Sequence, residues 1–62
     1  MTVREFCYLY IEDSDFVAIY SCESEKNVFE GTYYEASFSE YKDEIICSFG
    51  IEDGIICINI EA

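Results

Sequence analysis

The sequence predicts an α+β domain: a small antiparallel β-sheet of four to five strands, built from two hairpins, with one short helix, in the order β-β-β-α-β-β. Three observations predict it. Nine Ile, six Tyr and five Phe, with no Pro and no Trp, make the apolar content β-favouring. The apolar runs are short and are separated by clusters of turn residues. Between them, one stretch changes to helical spacing. At 62 residues the chain is a single domain, residues 1–62. A hydrophobic content of 52% sets it apart from disordered chains, which combine high charge with low hydrophobicity.

The elements follow in chain order. Residues 3–11 (VREFCYLYI) and 16–22 (FVAIYSC) read as two strands joined by the polar turn Glu12-Asp13-Ser14-Asp15. In that hairpin Val3, Cys7, Leu9 and Ile11 share a face with Phe16, Ala18, Tyr20 and Cys22, while Phe6, Tyr8, Tyr10, Val17 and Ile19 form the other. Both faces are apolar, so one needs a cover: a helix of the same domain, a second copy of the chain or a target protein. Residues 28–34 (VFEGTYY) read as a third strand with a bulge at Gly31. Tyr34, Phe38, Tyr41 and Ile45 then recur at i, i+4, i+7 and i+11, and Ser37 with Glu40 fits a capping box, which predicts a helix over residues 38–44. Residues 45–49 and 55–60 flank Asp53-Gly54, a pair suited to the positive φ angles of a type I′ turn. Pairing Glu52 with Ile55 sets Ile45, Cys47 and Phe49 beside Ile56, Ile58 and Ile60 as a core face.

Cys7, Cys22, Cys47 and Cys57 are too widely spaced for a zinc site, and there is no His. The N-terminal residues have neither the basic nor the apolar region of a secretory leader, and no apolar run approaches the ~20 residues of a membrane helix. The expectation is a cytosolic chain whose reduced cysteines pack as small hydrophobes, without membrane contact, metal or cofactor. Catalysis is equally poorly provided for. With no His, one Arg and no phosphate-cradling Gly-rich loop, the chain reads as a non-enzyme. The turn around Glu12 lacks the spaced ligands of a calcium loop.

Charge carries the functional expectation. Fourteen carboxylates face three cations, for a net charge of −11. Over the roughly 4,100 Å² of surface expected at this mass, such a field repels nucleic acid and anionic lipid and attracts basic protein grooves. Acids at the turns and edges of a sheet, ~6.6 Å apart where they alternate on a strand, imitate a track of phosphates. Candidate partner-binding residues are Glu12, Asp13 and Asp15 at the first turn and Glu23 and Glu25 after the second strand. Glu30 and Glu35 follow in the middle, then Glu40, Asp43 and Glu44 on the helix, with Tyr8 and Tyr10 as aromatic anchors.

In size, charge and runs such as Ile11-Glu12-Asp13-Ser14-Asp15 and Tyr41-Lys42-Asp43-Glu44, the chain resembles the small acidic inhibitors that phages encode against host nucleic-acid enzymes. These are the anti-restriction proteins, anti-CRISPR proteins and uracil-DNA glycosylase inhibitors, which share no common motif. The resemblance implies a stoichiometric blocker acting in the host cytosol. Its partner would be a basic nucleic-acid-binding protein or ribonucleoprotein, not nucleic acid itself. Three alternatives stay open: an antitoxin or small subunit binding a basic protein, a homodimer buried through the Phe6, Tyr8 and Tyr10 face, and a domain whose charge serves solubility.

Overall fold

In a computed structural model describing residues 1–9 and 16–62, two helices and four strands follow in the order α1 (Val3–Leu9), β1 (Phe16–Ser21), β2 (Lys26–Thr32), α2 (Tyr33–Ser37), β3 (Ile46–Glu52) and β4 (Ile55–Ile60). The class is α+β, and the order is α-β-β-α-β-β. The sheet is mixed, with strand order β2-β1-β4-β3. β1 and β4 pair parallel at its centre, and β2 and β3 join antiparallel at its edges. The central strands are the two that carry no charged residue, as suits strands flanked on both sides.

The largest departure from expectation is at the N-terminus, where residues 3–9 are helical and not a strand. The Thr2 N–H donates to Glu5 Oε1 at 2.8 Å and the Glu5 N–H donates to Thr2 Oγ1 at 3.2 Å, a reciprocal cap that starts the helix. Val3, Phe6 and Cys7, at i, i+3 and i+4, are the buried positions. Seven residues are too few to hold a helix in isolation, so α1 exists through that buried stripe. Backbone bonds fasten its start to a later segment: Val3 N–H to Glu44 O at 3.0 Å, Arg4 N–H to Lys42 O at 2.9 Å, and Ile46 N–H to Met1 O at 2.9 Å. The expected first hairpin is therefore absent, and β1 pairs instead with β2.

α2 repeats the design of α1. Thr32 and Glu35 form a second capping box, and Tyr33, Ala36 and Ser37 are buried at i, i+3 and i+4. This replaces the helix expected over 38–44. Ser37 is in the last turn, where its hydroxyl donates to Tyr34 O at 2.7 Å, and does not cap a following helix. Residues 38–44 form successive turns, with Tyr34 and Phe38 exposed to solvent. Gly31 pairs in register opposite Val17, and the bulge lies three residues earlier on β2, at Val28, which is left unpaired between Phe29 opposite Ile19 and Asn27 opposite Tyr20. A Cβ on Gly31 would sit 2.9 Å from Glu35 Oε1 and 3.1 Å from Phe29 Cζ. The missing side chain is thus what admits the capping carboxylate.

The second hairpin forms as expected. Glu52 pairs with Ile55, and Asp53 and Gly54 have φ of 54° and 78°. A bulge then changes its faces: Ile46 pairs with Ile60 and Ser48 with Asn59, leaving Cys47 unpaired between them. Ile46 therefore takes the core side that was expected for Ile45 and Cys47, and those two are exposed. Phe49 keeps its expected place opposite Ile58 and meets Phe6 with the rings tilted, their centroids 4.8 Å apart.

One face of the sheet is the core. Val17, Ile19 and Ser21 of β1 stand in register with Ile56, Ile58 and Ile60 of β4, beneath Val3, Phe6, Cys7, Tyr33 and Ala36 of the helices. Each fully buried aliphatic side chain of this set contributes about 1.5–3 kcal/mol. Of the four cysteines only Cys7 is fully buried, and desolvation pushes its thiol up to about 11; Cys22 and Cys47 are exposed and Cys57 is half-buried, contrary to the expectation that all four pack in the core. Among the described residues no helix is long and apolar enough to cross a membrane, and none covers the second face of the sheet.

Candidate partner-binding surface

The β1–β2 turn is where acids first converge. Ser21 is buried; its hydroxyl accepts from the Ser24 N–H at 3.0 Å and donates to Ala62 O, while the Glu25 N–H donates to Ser21 O at 2.7 Å. This holds Glu25 at φ 57°. The chain beyond β1 stays paired with the end of β4, with Cys22 N–H on Ile60 O at 2.8 Å and Glu23 N–H on Glu61 O at 3.1 Å. Because β1 and β4 are parallel, their ends coincide. Glu23, Glu44 and Glu61 consequently surround one open hollow with Cys47 and the C-terminal Ala62. Desolvation, and then the nearby Glu61 carboxylate, push the Cys47 thiol up and keep it protonated.

A second acidic region lies at the other end of the sheet. Glu30 on β2, with Glu52 and Asp53 at the β3–β4 turn, borders a hollow of about 250 Å³ on the helix-free face, together with Phe16, Ala18, Ile55 and Cys57. Glu30 is oriented by the Asn27 side-chain amide, which donates to its Oε2 at 3.1 Å.

The expected site residues therefore divide. Glu23 and Glu44 meet in the first hollow, Glu25 projects from the adjoining turn, and Glu30 belongs to the second. Glu40 is exposed on the turns after α2, where its hydrogen bond and charge push the Tyr41 phenol up. Asp43 lies 3.7 Å from the Arg4 guanidinium, both side chains exposed, in the only ion pair among the described residues. Glu35 is engaged in the α2 capping box and serves the fold. Tyr8 is 70% exposed, but Phe6 on the same helix is 3% exposed, so these two of the three residues expected to share a homodimer face do not share one. Glu12, Asp13, Asp15 and Tyr10 lie outside the described residues.

Four exposed groups join the surface that sequence reasoning had not assigned to it: Glu52, Asp53, Glu61 and the edge-to-face pair Tyr34–Phe38, whose centroids are 5.0 Å apart. Glu61 is brought beside the β1–β2 turn by the parallel pairing of the two uncharged strands β1 and β4. No protein-family model, curated protein or solved structure matches the chain. The surface therefore has to be interpreted from its own chemistry. It offers carboxylates at both ends of an uncharged pair of central strands, with exposed aromatics on the helical side.

Proposed function

We propose that this chain is a stoichiometric inhibitor that uses its acidic surface to occupy the basic nucleic-acid-binding channel of a host defence or other nucleic-acid enzyme, in the manner of anti-CRISPR and anti-restriction proteins. The observation that carries this reading is the disposition of charge. With a net charge of −11, the carboxylates gather at sheet ends and turns, and a single exposed ion pair among the described residues neutralises any of them. Such a surface gains little for the fold and attracts a cationic groove strongly at low salt. Tyr8, Tyr34 and Phe38 supply apolar contact beside the acids, the kind of anchor that gives a charged interface its residence time.

The test is capture of a partner on the tagged chain from a nuclease-treated lysate of its natural host, with elution by a salt gradient. The expected result is one nucleic-acid enzyme, released by salt and displaced by added DNA or RNA. Reversal of Glu23, Glu25 and Glu44 to Lys should weaken that binding by about tenfold or more while the fold persists. A partner indifferent to both salt and nucleic acid would exclude the reading.

A further inference from the structure

The second face of the sheet is not flat. Strand pairing lays its side chains out in rows across the four strands. One row runs Glu30, Ala18, Cys57, Gly50, and beside it a second sets Phe16 opposite Thr32 and Ile55 opposite Glu52. The first row has small groups at its centre, and the second has an aromatic and a branched aliphatic side chain there. The result is a trough floored by Ala18 and Cys57 and walled by Phe16 and Ile55, with Phe16 60% and Ile55 40% exposed. Glu30 closes it at the β2 edge, and Glu52 and Asp53 stand at the β3 edge. None of the three cations of the chain lines it.

We infer that this trough is a receptor for a single arginine side chain of the basic partner, an inference that rests on the function proposed above. Its volume of about 250 Å³ falls below the range of pockets that hold a whole small-molecule ligand and suits one long side chain. The apolar floor and walls match the methylene stem, and the face of Phe16 offers a stacking surface for a planar cation. Glu30, held by the Asn27 amide, presents its carboxylate to the guanidinium fork, and Glu52 with Asp53 extend the negative field from the opposite edge. An ammonium, compact and strongly hydrated, would gain the field but not the stacking, so arginine is preferred to lysine.

The experiment is a titration of the whole chain with N-acetyl-arginine methylamide at low salt, followed by amide chemical shifts, with the lysine analogue in parallel. The expected result is that the largest shifts fall on Phe16, Ala18, Ile55 and Cys57 and that the arginine compound binds more tightly. Glu30→Gln should weaken it by about three- to fivefold. Phe16→Ala should weaken arginine by about threefold and leave lysine nearly unchanged. Shifts centred on Glu23, Glu44 and Glu61 would overturn the trough while leaving the acidic-surface function in place. Absence of binding by either cation anywhere on the chain would overturn the trough, and the acidic-surface function is tested separately by the salt and nucleic-acid dependence of partner capture.

Discussion

Thr32 and Glu35 exchange bonds across the start of α2, and Gly31 leaves the space in which they do so. Thr32→Ala should cost about 1 kcal/mol in urea unfolding, as for other N-cap losses. Gly31→Ala should cost a similar amount, because its methyl displaces the Glu35 carboxylate. In a Glu35→Ala background most of that cost should vanish, and an unchanged cost would show that Gly31 answers to Phe29 instead. Glu5 makes the corresponding cap on α1, and the bonds from Thr2, backbone first, hold its carboxyl below the ordinary value of 4.5. A folded-state value below the unfolded one means that the stabilisation is complete at neutral pH and is lost as pH falls through the folded value. The Thr2 amide resonance should therefore move in acid with a midpoint below 4.5, and a Glu5→Gln variant should lack that transition.

The β3–β4 hairpin was legible because its signal is local: Asp53-Gly54 between two apolar runs fixes both the turn and the Glu52–Ile55 register. Asp53→Val places a β-branched residue at φ 54° and should cost about 1–2 kcal/mol in chemical denaturation; a smaller loss would mean that the turn relaxes to another type. The helices were misplaced for a physical reason. Both begin with Thr-x-x-Glu and bury an i, i+3, i+4 stripe, yet each short run carries two aromatic residues, Phe6 and Tyr8 in α1 and Tyr33 and Tyr34 in α2, which mimic strands. The competing Ser37-x-x-Glu40 box and the Tyr34–Phe38 spacing satisfied the same rules, but that stripe faces solvent. Parallel pairing of β1 with β4 joins segments some forty residues apart and leaves no local mark other than two uncharged runs. Glu23 and Glu44 were identifiable as candidates and Glu61 was not; the meeting of the three in one hollow depends on long-range pairing.

The whole molecule carries a net charge of −11 on 4132 Å² of surface, a density that opposes its own compaction. Added salt should raise its Tm, since screening relieves that repulsion, and should weaken its attachment to a cationic partner. These opposite signs distinguish an interaction surface from a fold that needs its charges. A Tm that falls as salt is added would mean that attraction, not repulsion, dominates the surface. Solubility is met at a net charge of roughly 2 to 8 in a small domain, so the excess points outward. The decisive measurement is displacement of a labelled oligonucleotide from the captured enzyme by the purified chain, followed by fluorescence anisotropy at low and high salt. The account predicts one-to-one displacement that weakens steeply as salt rises. Binding of the chain to the enzyme with the oligonucleotide still in place, or displacement unaffected by salt, would contradict it.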